Sequence, residues 1–365
     1  MTAARSVPRD SVELEVTRIY EDLLGVDGVD VHADFFTLGG HSLLAVQLLA
    51  RIKKTFGTVV PVSVLFEHAD EEAASVSVLS GLVRRGLGGR QPDSPAGPVT
   101  LRRGGGGDPV FCVHPAGGDL IAFRELVRLL PSERPVYGLP APPAETDPYE
   151  PELSDIAEHH LARLTEAQPA GPYSLIGWSM GGVLAAEMAG RLRAAGARVD
   201  LLALLDSYPA EETDAPGETE ILAAFATHLG GVMGRPFAVP ADDLRALSFD
   251  DGLARVLAAA RAAGALPPGT DLTELLTWLT LFRAHDRARR RHRAVRPVEE
   301  LLLVLASDAD PLRRDRAADS WQRITERPVR RHLVPGDHYS MLTEPHVREL
   351  ATILTDALRA PGGRS

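Results

Sequence analysis

The sequence predicts an α/β domain that carries a helical insertion and follows a small helical bundle. Three observations predict this. From about residue 108 onward, short apolar runs alternate with helical patterns, as a mostly parallel sheet covered on both faces requires. Between residues 207 and 299 the alternation stops and the pattern becomes helical. Before residue 84 apolar residues recur at helical spacing, and the Gly-, Pro- and Arg-rich stretch RRGLGGRQPDSPAGPVTLRRGGGG over 84–107 separates the two parts.

In the second part a short strand is expected at 99–102. PVFCVHP, PVYGL, YSLIGW, VDLLALLD, LLLVLASD and VRRHLVPG read as further strands. Residues 119–130, 153–164, 182–195 and 346–358 read as the covering helices, and 218–229, 251–263 and 272–283 as helices of the insertion. A helical insertion between two strands is a candidate lid over a site at the carboxyl edge of the sheet. In the first part Val12, Leu14, Val16, Ile19, Tyr20 and Leu23 mark one helix, ended by Gly25 and Gly28. A second helix is expected over 43–56, a short third from Pro61 through Phe66, and a fourth over 73–82. The expected boundaries are 8–83 for the bundle, 84–98 for a linker and 99–361 for the α/β domain, with its lid over about 207–299.

The composition excludes several classes. A net charge of −11 argues against a protein that binds nucleic acid by neutralising phosphates. The single cysteine, Cys112, rules out an internal disulfide framework and a Cys-rich zinc module; inside a strand it reads as a small buried hydrophobe. No metal-ligand spacing such as HExxH is present. No apolar run approaches 18 residues, and the first sixteen lack a secretory core, so a cytoplasmic protein is expected. Of the 39 basic residues only Lys53 and Lys54 are lysine, which reads as coding bias rather than function.

Gly177-Trp178-Ser179-Met180-Gly181 fits G-x-S-x-G, and it stands between an expected strand and an expected helix. This is the setting of the nucleophile elbow of an α/β-hydrolase, where a tight turn lifts the serine above the sheet and the next N–H, that of Met180, points toward a developing oxyanion. Such a serine needs a base and an acid later in the chain. His338, in GDHYSM after the strand VRRHLV, stands on a loop at a strand end and is the best-placed base. His332, inside a strand pattern, and His285, on a lid helix, read as surface or packing residues. Two acids compete, Asp206 at the end of VDLLALLD and Asp308 at the end of LLLVLASD, and sequence spacing does not separate them. Five arginines and one histidine over 287–293 read as a solvated helix end, with a docking patch as the alternative.

In the first part, Gly39 and Gly40 permit a tight turn and Ser42 opens an amphipathic helix. A phosphodiester on Ser42 would meet the positive helix terminus, with Leu43 and Leu44 as an apolar surface beside it. Taken alone, Ser42 reads as an ordinary helix cap after a Gly-Gly turn, and His41 reads as a surface residue of the turn.

The longer strings carry a resemblance. DFFTLGGHSLL and FGTVVPVSVLFEH are similar to the peptidyl carrier domains of nonribosomal peptide synthetases, over about residues 10–80. The resemblance implies a 4′-phosphopantetheine arm on Ser42, added by a phosphopantetheinyl transferase. The family often has a proline after LFEH, where this chain has Ala69. GGDLIAFRELVRLL, VYGLPAP, GPYSLIGWSMGGVLAAEMAGRL, LLALLDSYP and GDHYSML together resemble the type I thioesterase domains that end peptide and polyketide assembly lines, over about residues 100–360. That resemblance implies Asp206 as the acid, since stand-alone type II relatives use the position of Asp308. It also implies the N–H of Ala116, in FCVHPAGG, as the second oxyanion donor.

The resulting expectation is a four-helix carrier followed by an α/β-hydrolase with a lid. An acyl chain on the Ser42 arm would pass to Ser179, with His338 and Asp206 as base and acid, and leave by hydrolysis or macrocyclisation. Upstream synthetase domains would supply the peptidyl substrate. A general esterase or proofreading thioesterase, and a non-catalytic module that docks acyl carriers, are the alternatives.

Overall fold

The computed structural model describes residues 6–359 except 41, 59, 61, 66–73, 88–97, 119, 132, 143–148, 210–215, 267–269 and 294–295. His41, Pro61, Ala69 and most of the expected linker lie outside the described residues. Along the chain the helices are α1 (Ser11–Leu24), α2 (Ser42–Phe56), α3 (Val76–Leu87), α4 (Arg124–Leu129), α5 (Leu153–Ala167), α6 (Met180–Ala194), α7 (Glu218–Val232), α8 (Ala241–Leu244), α9 (Phe249–Ala262), α10 (Leu272–Arg291), α11 (Pro311–Gln322) and α12 (Val347–Arg359). The strands are β1 (Val99–Arg102), β2 (Val110–Val113), β3 (Val136–Leu139), β4 (Tyr173–Trp178), β5 (Val199–Leu205), β6 (Leu302–Ala306) and β7 (Arg330–Val334).

Two compact units result, one of Met1–Ala96 with Ala226–Leu272 and one of Gly97–Phe225 with Thr273–Ser365. In the first unit, Asp10 caps α1 by accepting from the N–H groups of Val12 and Glu13, and Gly25 at φ 65° closes it. The apolar face that α1 thereby presents buries Val16, Ile19, Tyr20 and Leu23. The Tyr20 hydroxyl donates to the Ala74 carbonyl at 2.5 Å, which fixes the approach to α3. Two expectations are corrected here. The third helix is a 3-10 turn over Val62–Leu65, too short for an α-helical repeat. The fourth helix starts at Val76 and continues through Leu87, four residues into the expected linker. It continues because Arg84 is tied to Asp10 at 2.5 Å and to buried Glu13 at 3.2 Å, so that this turn belongs to the bundle. In the same unit, buried Gln47 of α2 donates to the Thr270 hydroxyl at 3.4 Å.

The second unit is built on a sheet whose described strands run in the order β1-β3-β2-β4-β5-β6-β7. All neighbours pair in parallel except β1 and β3. Phe111, Val113, Leu175, Leu202, Leu204, Leu303 and Leu305 share one core with α5 and α6. The residues that alternate with them, among them Cys112, Ile176, Ala203, Leu205 and Val304, are buried as well. A sheet buried on both faces explains why these strands read as continuous apolar runs. The short helix α11 lies between β6 and β7, where no helix was expected. Asp310 caps it by accepting from Leu312 N–H, Pro311 occupies its first turn, and it buries Ala317 and Trp321.

Candidate functional site

The site is built where β4, β5 and the loop after β7 meet. Ser179 follows β4 and immediately precedes α6, at φ 57° and ψ −125°, a left-handed backbone that non-glycine residues rarely adopt. Its N–H donates to the Leu205 carbonyl at 2.9 Å, which ties the turn to the end of β5. Side chains at Gly177 and Gly181 are excluded by backbone. A Cβ on Gly177 would overlap the Gly181 carbonyl, and one on Gly181 would overlap the carbonyls of Val113 and His114. The same close approach brings the start of α6 against the end of β2. Met180 is the first residue of α6, so its N–H has no acceptor within the helix.

Asp206 follows β5 at φ 40° and is buried. Its Oδ2 lies 2.6 Å from Nδ1 of His338. Its Oδ1 accepts from the Ala306 N–H at 3.0 Å and from the Tyr208 hydroxyl at 2.9 Å. Burial by itself raises the Asp206 pKa; the hydrogen bonds from His338, Ala306 and Tyr208 outweigh it and hold the carboxyl below its ordinary range. The acceptor at Nδ1 leaves Nε2 of His338 as the basic nitrogen. His338 is 29% exposed against 3% for Asp206, so the imidazole is open to solvent while its partner is not. Trp178 donates from Nε1 to the His338 carbonyl at 3.0 Å and packs its ring against the imidazole, with centroids 5.0 Å apart. Ser179 is thus flanked by Trp178, which holds His338, and by Leu205, which adjoins Asp206.

Asp308 stands apart from this pair. It is exposed, its carboxylate accepts from Ser307 Oγ at 3.0 Å, and its N–H donates to the Gly336 carbonyl at 3.1 Å. Ala116 lies in the turn after β2, half-buried. His285, read from sequence as surface or packing, is fully buried and its Nδ1 lies 2.8 Å from the Ala116 carbonyl. His332 is exposed on β7. Cys112 is buried in β2, and burial pushes its thiol up to about 12. The arginine-rich end of α10 is largely ion-paired: Arg287 to Glu150, Arg289 and Arg290 to Asp286, and Arg291 to Glu152. It borders an open cavity of about 570 Å³ together with Ile221.

Trp178 and Tyr208 were not singled out from sequence. Both sit in strings already quoted, Trp178 at the variable position of G-x-S-x-G and Tyr208 two residues after Asp206. A hydroxyl two residues beyond a buried carboxylate was the available signal.

In the first unit, Gly39 at φ 96° turns the chain toward α2, and Ser42 is the first residue of that helix. No acidic residue stands in the first turn of α2. This position suits a phosphodiester on Ser42, because the helix terminus is positive and the first turn of α2 brings no carboxylate to it. Among the described residues no group of His, Cys, Asp or Glu side chains has a metal-binding arrangement. No helix among them is long and apolar enough to cross a membrane.

Comparison with known proteins bears directly on these two sites. The thioesterase domain family matches residues 108–358, which include the elbow, Asp206 and His338. The chain belongs to the thioesterase domain family. Ahead of its thioesterase domain it carries a phosphopantetheine attachment site segment, matched over residues 15–70, and so a carrier domain. The chain is 32% identical to chondramide synthase cmdD of Chondromyces crocatus, over 94% of this chain and 9% of that protein. It is 36% identical to enterobactin synthase component F of Escherichia coli (strain K12), over 59% of this chain and 17% of that protein. A solved four-domain nonribosomal peptide synthetase, holo-AB3403 bound to AMP and glycine, is 30% identical and superposes with a TM-score of 0.68. That match covers 99% of this chain and 27% of the synthetase. The Vlm2 thioesterase domain, 20% identical with a TM-score of 0.52 over 70% of this chain and 94% of that one, shares the fold. The thioesterase domain thus has the α/β-hydrolase fold. The chain spans less than a fifth of the length of these two curated relatives.

Proposed function

We propose that this chain is the releasing end of a nonribosomal peptide synthetase, with the carrier over residues 8–83 extended to the end of α3, and the thioesterase over 99–361. The observation that carries the reading is the buried Asp206 carboxylate on Nδ1 of His338, beside a serine held at φ 57° on a strand-to-helix turn. Upstream synthetase domains supply the peptidyl group, and a phosphopantetheinyl transferase modifies Ser42. When bound, the 4′-phosphopantetheine arm supplies a thiol on which an acyl chain is carried as a thioester.

The protein's own residues do the rest. His338 Nε2 takes the proton of Ser179 Oγ as the oxygen attacks the thioester carbonyl. The carbonyl oxygen becomes an oxyanion and is met by the N–H groups of Ala116 and Met180. Asp206 keeps His338 in one tautomer and stabilises the imidazolium. When the carbon–sulfur bond breaks, the imidazolium proton goes to the departing sulfur, and the acyl chain is an ester on Ser179. Water, or an amine or hydroxyl of the chain itself, then attacks that ester. His338 takes the nucleophile's proton and returns one to Ser179 Oγ, which frees the product as an acid or a macrocycle.

Within the second unit, the start of α7 and helix α10 supply the lid surface of this reading. Ile221, Trp278, Leu281 and Phe282 are half-buried rather than buried, and we assign this apolar surface to the acyl chain. Excluding water there favours internal nucleophiles. The test uses a soluble peptidyl thioester and mass spectrometry of its products. Wild type and Ser42→Ala should release the peptide, and Ser179→Ala should not. Turnover that survives Ser179→Ala, or equal activity on small alkyl esters, would overturn the reading.

A further inference from the structure

The loop after β2 is held from behind by two buried histidines that the mechanism above does not use. The Ala116 N–H and the Pro115 carbonyl belong to one peptide, and it is trans. They therefore point in opposite directions, so whatever holds the oxygen aims the N–H. The Pro115 carbonyl accepts from the Gly118 N–H at 2.9 Å and lies 2.8 Å from His114 Nδ1. The next peptide is held in turn, with the Ala116 carbonyl 2.8 Å from His285 Nδ1.

A carbonyl oxygen carries no hydrogen, so each Nδ1 must donate, and both rings are the Nδ1–H tautomer. Both are fully buried, with centroids 5.2 Å apart. Among the described residues neither Nε2 has a hydrogen-bond partner. Burial pushes His285 down to about 4 and His114 well below the usual imidazole range, so both stay neutral near pH 7.

His285 stands on α10, a helix of the insertion, whereas Ala116 belongs to the sheet. The contact between them is close along its length. Gly118 has φ 80°, and a Cβ there would come within 3.0 Å of Leu281 and 3.6 Å of His285 on α10. The loop and the helix are thus fitted to each other by a missing side chain, and one hydrogen bond fixes the register between them.

We propose that His285 is a positioning residue for the oxyanion site: by donating to the Ala116 carbonyl it ties the donor loop to α10, so that the Ala116 N–H is aimed only while α10 is seated. This rests on the reading of Ala116 as an oxyanion donor. It makes transition-state stabilisation depend on the insertion, and it adds a residue that touches neither substrate nor reacting atoms.

The test uses the whole chain, a soluble peptidyl thioester and a peptidyl boronic acid, whose tetrahedral adduct on Ser179 engages the oxyanion donors as the substrate ground state does not. His285→Phe keeps a ring and removes the donor. His285→Asn places an N–H near the position of Nδ1, and His285→Leu matches that residue in size without the donor. Removing an oxyanion donor outright lowers kcat about 10²–10³-fold, and misaiming one should lower it about 10–100-fold. We expect His285→Phe and His285→Leu to show that loss with KM little changed and boronate affinity reduced in proportion. His285→Asn should recover most of both, whether or not His285→Phe folds. Normal kcat and boronate affinity in His285→Leu, or a loss that His285→Asn does not restore, would overturn the proposal. Replacing Ala116 by lactic acid, which removes only the N–H, separates the two readings. If that protein keeps full kcat, the oxyanion assignment itself fails. If it loses about 10²-fold while the His285 variants lose nothing, only the tie to α10 fails.

Discussion

Asp206 shows how one carboxylate is kept both ionised and directional inside the protein. Three donors converge on it, and each does something different. His338 takes one oxygen, and the Ala306 N–H and Tyr208 hydroxyl fill the other. A buried carboxylate without such partners would neutralise and lose its hold on the imidazole. Asp206→Asn should therefore lower kcat for thioester release about 10⁴-fold, because an amide in that position favours the wrong His338 tautomer. Asp308→Asn, exposed and bonded to Ser307, should stay within a few-fold of wild type. Both are read from steady-state rates at one pH, and the reverse order would reassign the acid. Tyr208→Phe removes one of the three donors and should cost only several-fold, with the Asp206–His338 contact intact.

At the scale of elements, the strand-to-helix junctions were the most legible. β2 and β6 are apolar without interruption, and β4 and β5 are so apart from Ser174 and Asp200, because both faces of the sheet are covered, and Ser179 of G-x-S-x-G fell between β4 and α6 as the pattern required. Helix α11 was not legible. PLRRDRAADSWQ buries only Ala317 and Trp321, too few apolar positions to show a helical period, and its real signals were the Asp310 cap and Pro311. The end of α3 was hidden for another reason. Glycines and arginines at 84–87 resemble a linker until Arg84 is seen to pair with Asp10 and Glu13 across the bundle. The pairing of His285 with Ala116 spans 169 residues, and no local pattern could carry it.

Two predictions belong to this scale. Gly181, the second residue of α6, has no room for a Cβ between it and the carbonyls of Val113 and His114. Gly181→Ala must push backbone apart, and urea unfolding should show a loss of about 3 kcal/mol. A loss below 1 kcal/mol would mean that β2 and α6 can separate freely. The second concerns the histidines packed between β2, α5 and α10. Burial pushes His160 down to about 3 and His285 down to about 4, from the ordinary imidazole value of 6.5. The native state holds these rings neutral while the unfolded chain binds their protons. Stability therefore falls as pH drops from about 6.5 toward 4, by about 1 kcal/mol per pH unit for each histidine. Neither ring nitrogen of His160 has a hydrogen-bond partner among the described residues, so His160→Leu removes a proton site without breaking a bond. Its unfolding free energy should decline less steeply than wild type between pH 6 and pH 5. Equal slopes would show that His160 is already protonated in the fold.

In the whole molecule two serines with different surroundings, Ser42 and Ser179, stand on one chain. Ser42 opens α2 and should accept one phosphopantetheine group from coenzyme A and a transferase. Intact-protein mass should rise by one arm in wild type and in Ser179→Ala, and not at all in Ser42→Ala. A mass increase in Ser42→Ala would place the modification elsewhere and remove the carrier reading. Ser179 should react whether or not Ser42 is loaded, since its turn, His338 and Asp206 all belong to the thioesterase domain.

The central claim is that an acyl chain passes from the first serine to the second, and a single-turnover experiment tests it most directly. The chain is loaded at Ser42 with a peptidyl phosphopantetheine, quenched at intervals and digested, and the acyl mass is followed on the peptides that contain Ser42 and Ser179. Acyl mass should leave the Ser42 peptide, appear on the Ser179 peptide and then in free product, with the Asp206→Asn variant showing the same order on a slower clock. Acyl mass that stays on Ser42, or that reaches product at an unchanged rate in Ser179→Ala, would contradict it.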